Sequence, residues 1–240
     1  MPPIRALARM AHGIIFLLFC LAGYGLTRPF GLHHIWPRFF LRHLGHAMGL
    51  RVSASGQPVP RGVLHVANHV SWLDILALGG ATGAVFVSKD DVDGWPLVGW
   101  LARVGGTIFI DRESRRAARG QADRIGEALS RGQPIVLFPE GTTNDGRGLF
   151  PFRPALFASV APAPGNVVVQ PVAVDYGAAA ADISWSGDDA LGPNVIKVLA
   201  RRGGLKVHLH FLPPLAPSVD RKAMAAEAQA AIERALAPSA

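Results

Sequence analysis

The chain is short of several residue types that build other kinds of protein. It has one cysteine, Cys20, in 240 residues, which excludes an intrachain disulfide and a zinc site built on thiolates. Charged residues make up only 17%, where about a quarter is usual for a soluble domain. Acidic groups are the scarcer kind: 17 Asp and Glu stand against 24 Lys and Arg, giving a net charge of +7. No G-x-S-x-G turn is present to carry a serine nucleophile, and no Gly-Lys-Ser/Thr closes a Walker loop. There is no internal repeat and no long Lys/Arg block, so the basic balance does not point to nucleic acid. What is present is apolar: half of the residues are hydrophobic. Arg5, Arg9, Arg28, Arg38 and Arg42 flank the apolar stretches near the N-terminus, a placement that suits an anionic membrane surface.

Met10 to Leu26 carries no formal charge and has Arg5 and Arg9 before it and Arg28 after it. Spanning a bilayer takes about 20 apolar residues, so this stretch sits at the short limit. No small-x-small cleavage site follows, and a retained anchor, spanning or half-inserted, is expected in place of a signal peptide. From Trp36 to Leu50, helical spacing puts Trp36, Phe40, Leu44, Ala47 and Met48 on one face and Arg38, Arg42 and His46 on the other. A helix packed on the domain and an amphipathic helix in the headgroup layer both fit. Residues 1–50 are read as a membrane-anchoring helical region and residues 51–240 as one α/β domain.

In that domain short β-rich runs alternate with helical stretches. Strands are expected at Arg51–Ala54, Val63–Ala67, Ala84–Ser88, Thr107–Ile110, Ile135–Phe138, Val167–Val174 and Lys206–Phe211. Helices are expected at Trp72–Leu78, Pro96–Val104, Arg115–Arg131, Pro154–Ala161, Pro193–Arg201 and Asp220–Leu236, with a loop over Tyr176–Asp189. Continuous apolar runs such as Ile135–Phe138 suit strands covered on both faces. The expected architecture is a single layered α/β domain with a mixed, largely parallel sheet flanked by helices.

The stretch Leu64–Asp74 is the most informative. A strand ends at Asn68-His69, and Ser71 with Asp74 three residues later has the spacing of a capping box. That reading makes Asp74 a helix-starting residue only. The alternative lets the Asp74 carboxylate fold back from the first helical turn toward His69. A carboxylate bonded to one imidazole nitrogen leaves the other as a proton acceptor, able to act as general base on a hydroxyl. Ile135–Gly146 repeats the design: an apolar strand, then Pro139, Glu140, Gly141, Thr142 and Thr143. A turn would account for it. So would a loop whose glycine lets backbone approach a ligand. Arg112 follows the strand Thr107–Ile110 and Lys89 follows Ala84–Ser88, each a solvated charge or an anion contact. His208 and His210 alternate onto one strand face, a pair without a third metal ligand.

Taken in order, these residues resemble the glycerolipid acyltransferase family, of which 1-acylglycerol-3-phosphate O-acyltransferases are members. The H-x4-D block is similar to Asn68–Asp74, the glycine-strand-arginine block to Gly106–Arg112, F-P-E-G-T to Phe138–Thr142, and the proline-centred apolar strand to Val167–Val174. Lys89–Gly99 resembles the family's intervening segment. The resemblance implies a membrane enzyme of phospholipid biosynthesis, with His69 as base and Asp74 as its partner. It implies Arg112, Glu140, Gly141 and Thr142 around the acceptor's phosphate, with Lys89 as a further substrate contact. It also implies an acyl-CoA or acyl-carrier-protein co-substrate, no metal or other cofactor, and a place on the cytoplasmic face of a bacterial inner membrane. One position departs: Thr143 stands where phosphatidic acid makers often have arginine. Trp185–Asp188 resembles subgroups that include enzymes acting on lyso-ornithine lipid. The expected acceptor is 1-acylglycerol-3-phosphate, with a lyso-ornithine or other amino-acid lysolipid as the alternative. A lipid-binding protein on a degenerate acyltransferase fold would have no use for the intact His69, Asp74 and E-G-T. A hydrolase, in which water replaces the lipid hydroxyl, is a further rival.

Overall fold

The computed structural model describes residues 2–111, 115–185 and 190–237. The chain opens with helices α1 (Pro2–Thr27) and α2 (Ile35–Ala47), followed by β1 (Leu50–Ser55), β2 (Val63–Ala67) and α3 (Leu73–Thr82). β3 (Val85–Lys89), α4 (Pro96–Val104), β4 (Ile108–Ile110), α5 (Arg115–Ser130) and β5 (Ile135–Leu137) come next. β6 (Val168–Asp175), α6 (Ala180–Ile183), α7 (Leu191–Ala200), β7 (Leu205–Phe211) and α8 (Arg221–Leu236) complete the order.

The seven strands form one sheet in the order β1-β7-β6-β2-β5-β3-β4. All neighbours are parallel except β6 and β7. Every residue of β2 and β5 is buried, as their unbroken apolar runs require of strands covered on both faces. On one face, Leu73, Leu76 and Leu78 of α3 pack with Phe86, Val172 and Leu209. On the other, Ile125 and Leu129 of α5 and Met224 and Ile232 of α8 pack with Leu64, Val66 and Leu137. Opposite faces for α3 and α5 follow from the right-handed crossover: the chain moves one way along the sheet from β2 to β3 and back again from β4 to β5.

The N-terminal helices differ in part from expectation. α1 extends beyond Met10–Leu26 at both ends, and only 6% of its most apolar window is buried. Its 26 residues span about 39 Å, enough for a bilayer core. The partly buried Leu41, Leu44 and Ala47 of α2 pack against the core on the α3 side, and Arg38 does not sit on a free polar face. Arg38 donates to the carbonyls of Gly80 and Ala81, the end of α3 where carbonyls lack helical partners. Gly80 makes this approach possible, since a Cβ there would lie 2.8 Å from the Arg42 Cα.

Three further expectations are corrected. Pro154–Ala161 forms a single 3-10 turn, Pro154–Phe157, because Pro162 and Pro164 follow and disfavour helix in the residues before them. The stretch from Tyr176 is not all loop: it holds a 3-10 turn at Gly177–Ala179 and the short α6. Ser71 does not cap α3, and its hydroxyl is buried without a partner.

Candidate active site

Asn68 follows β2 directly, and its side chain extends the strand pairing by donating to the Val174 carbonyl and accepting from its N–H. This fixes the exit of β2 against β6 and sends the chain across the sheet edge at His69. The Asp74 carboxylate then folds back from the first turn of α3. Its Oδ2 accepts from His69 Nδ1 at 2.8 Å, Val70 N at 2.7 Å and Ser71 N at 3.0 Å. Its Oδ1 accepts from the Tyr176 hydroxyl at 2.7 Å. Capping and pairing with His69 are therefore the same feature, and the two readings of Asp74 do not compete.

With both Asp74 oxygens accepting, His69 Nδ1 must carry the proton and Nε2 the lone pair. Among the described residues none bonds Nε2. The Asp74 side chain is fully buried, while that of His69 is 15% exposed, so the acceptor nitrogen is approached from outside. Phe138 stacks on the imidazole, with centroids 3.9 Å apart and planes at 11°.

Glu140 holds this arrangement instead of lining it. The carboxylate is 2% exposed and accepts from His69 N (2.7 Å), both ways from Asn144 Nδ2 (3.1 and 2.9 Å) and from Phe150 N (2.8 Å). Asn144 N in turn donates to the His69 carbonyl at 2.7 Å. Both backbone polar groups of His69 are thus gripped by the loop after β5. A buried carboxylate held by three donors is turned inward, so its side chain supports His69 instead of pointing to a phosphate. Burial raises the Glu140 pKa, opposed by the bonds from Asn144, Phe150 and His69. Gly141 has φ +80°, a conformation that glycine alone adopts freely, and it turns the loop back. Thr142 is exposed beside it.

Lys89 ends β3, which β5 separates from β2, and pairs with Asp91 at 3.1 Å on the surface. Arg112 and the Ser186–Asp188 part of the tryptophan-led stretch lie outside the described residues. Trp185 is described: its N–H donates to the Val70 carbonyl at 3.1 Å and its carbonyl accepts from the Thr143 hydroxyl. Thr143, at the departing position, is buried and ties this crossing strand of chain to the loop after β5.

Two residues of the site escaped the sequence reading. Tyr176 looked like the start of a loop, and only the β6 register brings it over Asp74. Asn144 read as part of an Asn-Asp-Gly turn. His208 and His210 bond to Ser53 and Ser55 on the exposed side of β7 and β1. Among the described residues no cluster of three or more His, Cys, Asp or Glu is placed to hold a metal.

A family model described as Acyltransferase matches residues 51–175. The chain is 40% identical over 203 residues, 83% of its length and 77% of the other, to a lyso-ornithine lipid O-acyltransferase of Pseudomonas aeruginosa. It is 41% identical over 129 residues, 54% of its length and 50% of the other, to a 1-acyl-sn-glycerol-3-phosphate acyltransferase of Neisseria gonorrhoeae. Among solved structures it is similar in fold, with a TM-score of 0.68 over 100% of both chains at 20% identity, to the 1-acyl-sn-glycerophosphate acyltransferase PlsC of Thermotoga maritima.

Proposed function

This chain belongs to the acyltransferase family, and from that premise we propose that it transfers a fatty acyl group from acyl-CoA or an acyl-carrier protein to the hydroxyl of lyso-ornithine lipid, with His69 as general base. The observation that carries the chemistry is the His69–Asp74 pair, with Nδ1 bonded to a buried carboxylate and Nε2 left as the acceptor. The acceptor hydroxyl gives its proton to Nε2 as its oxygen attacks the thioester carbonyl. The C–O bond forms and the C–S bond breaks. The departing thiolate takes the proton back from the imidazolium, which Asp74 stabilises meanwhile. A base placed this way is worth about 10²–10⁴ in rate. Glu140 and Asn144 position His69 through its backbone, and Tyr176 positions Asp74.

Two observations favour lyso-ornithine lipid over 1-acylglycerol-3-phosphate. Four lyso-ornithine lipid O-acyltransferases are similar to the chain over 73–83% of it, at 35–40% identity, whereas the Neisseria enzyme matches over 54%. Thr143 is also committed to a bond with the Trp185 carbonyl and supplies no cation for a phosphate. The acyl donor class and residence on the cytoplasmic face of a bacterial inner membrane are part of the same reading, and the apolar α1 supports its membrane part. Labelled acyl-CoA and acyl-carrier protein, each offered with lyso-ornithine lipid, 1-acylglycerol-3-phosphate or no lysolipid, test it. Acylated ornithine lipid as the main product supports the reading. Phosphatidic acid as the main product moves the acceptor back to the phosphate lipid, and free fatty acid alone would make the protein a hydrolase.

A further inference from the structure

Helix α4 is apolar in composition yet belongs to no core. Of its nine residues only Gly99 is buried, and none joins either apolar cluster of the domain. Leu97, Val98 and Trp100 are 58%, 43% and 42% exposed. Three large apolar side chains this exposed on one short helix, outside both apolar clusters, call for a cover.

The topology fixes the side on which α4 lies. The connections β2–α3–β3 and β3–α4–β4 both run in the same direction along the sheet between parallel strands. The same right-handed crossover therefore places α4 on the α3 side. That is also the side on which α2 and α1 stack, and α1 presents Leu7, Ile14, Ile15, Leu18 and Phe19 outward, 54–69% exposed. The two apolar surfaces thus lie on one side of the molecule, α1 toward the β7 end through its contact with α7 and α4 at the β3–β4 end. Trp95, at the start of α4, packs edge-on against Trp185, which bonds to Val70 beside His69.

We propose that α4 is a second membrane foothold: Leu97, Val98 and Trp100 insert into the interface of the same bilayer that receives α1. With α1 at one end and α4 at the other, the mouth at His69 faces the surface that holds the lysolipid. This rests on the reading of α1 as membrane-facing. The charges around α4 fit insertion of apolar groups and not attraction of an acidic protein or lipid. Asp91 and Asp93 in the turn before the helix are paired with Lys89 and Arg103. A second copy of the chain is a poorer occupant, because a stable protein interface takes about 20–30 residues a side and α4 offers three large side chains. A tryptophan beside short aliphatic side chains is the composition that interfacial helices use.

The test uses the full chain in phosphatidylcholine vesicles, with the buried Cys20 replaced by alanine. An environment-sensitive fluorophore is placed by Leu97→Cys, by Ile15→Cys on α1, or by Val219→Cys. Val219, apolar and 78% exposed, lies just before α8, which packs on the opposite face of the sheet. Quenching by lipids carrying a shallow nitroxide is measured. The proposal expects the probes at 97 and 15 to be quenched by about twofold or more over the probe at 219. Quenching at 15 with none at 97 beyond that at 219 overturns the foothold and leaves α1 in the membrane. Absence at both 15 and 97 removes the membrane reading as well. Energy transfer between copies labelled at 97, in place of lipid quenching, would assign α4 to a protein interface. A second readout guards against damage by labelling: Trp100→Ser should lower turnover of a vesicle-borne acceptor several-fold and leave turnover in detergent micelles unchanged. Equal loss in both would count against the proposal.

Discussion

One imidazole, that of His69, is held by Asp74, Phe138 and the loop after β5. The H-x4-D spacing was legible in the sequence because a strand end and a helix start put residues 69 and 74 within reach. The third group was not legible, since Tyr176 lies 102 residues from Asp74 and reaches it only because β6 pairs with β2. The tyrosine hydroxyl draws charge from Asp74 through Oδ1, which weakens the hold of the carboxylate on the Nδ1 proton. In Tyr176→Phe kcat should fall with KM little changed, because Asp74 is less firmly placed against His69, and stability should drop by about 1–3 kcal/mol for the unsatisfied oxygen. A stability loss with kcat unchanged would make Tyr176 structural only. Asp74→Asn should lower kcat on the order of 10²–10⁴-fold through loss of the carboxylate and the correct tautomer, as a transfer assay at fixed pH would read. A second histidine behaves differently. His65 is fully buried in β2, and burial pushes it down to about 4 against the opposing contacts with Val59 and Gln170. Its folded pKa is below the unfolded value, so the unfolded state binds more protons and stability falls as pH drops from about 6.5 toward 4. The loss at full titration is about 3 kcal/mol. His65→Gln should flatten that part of the stability-against-pH curve measured by denaturant unfolding. An unchanged slope would show that His65 does not set it.

The elements explain why a loop with an acidic residue belongs beside a base. The F-P-E-G-T signature was visible, but residue type did not reveal that the Glu140 carboxylate turns inward to His69, Asn144 and Phe150. The burial of Glu140 could not be read from spacing, because one donor comes from residue 69 on another segment and the others from 144 and 150 where its own loop folds back. Strands were legible where their apolar runs were continuous, as in β2, β5 and β6. Helices were least legible where prolines or short polar stretches decided the outcome, as after Pro154 and Tyr176. Glu140→Ala should lower stability by roughly 2–5 kcal/mol by leaving buried donors unpaired, and should reduce kcat. Glu140→Gln, which keeps an acceptor, should recover part of both. Thermal unfolding and transfer rates measured together check this, and equal effects of the two substitutions would contradict a hydrogen-bonding role.

For the molecule as a whole, α1 and α2 are distinct in what they support. α1 is mostly exposed and apolar, whereas α2 seals α3 through Leu41 and Arg42 against Gly79 and Gly80. Removing residues 1–27 should release the protein from vesicles in a flotation assay with a modest change in Tm. Removing residues 1–47 should also lower Tm by many degrees, because it bares the α3 face of the core. A stable, fully soluble protein from the longer deletion would show that α2 is no part of the folded domain. In the proposed function the α/β scaffold aims one histidine at a lipid hydroxyl. The most direct measurement compares the native chain with His69→Ala in transfer of labelled acyl groups to lyso-ornithine lipid, with circular dichroism to verify folding. The account predicts acylated lipid from the native chain and none above background from a folded His69→Ala. Undiminished transfer by that variant would contradict it.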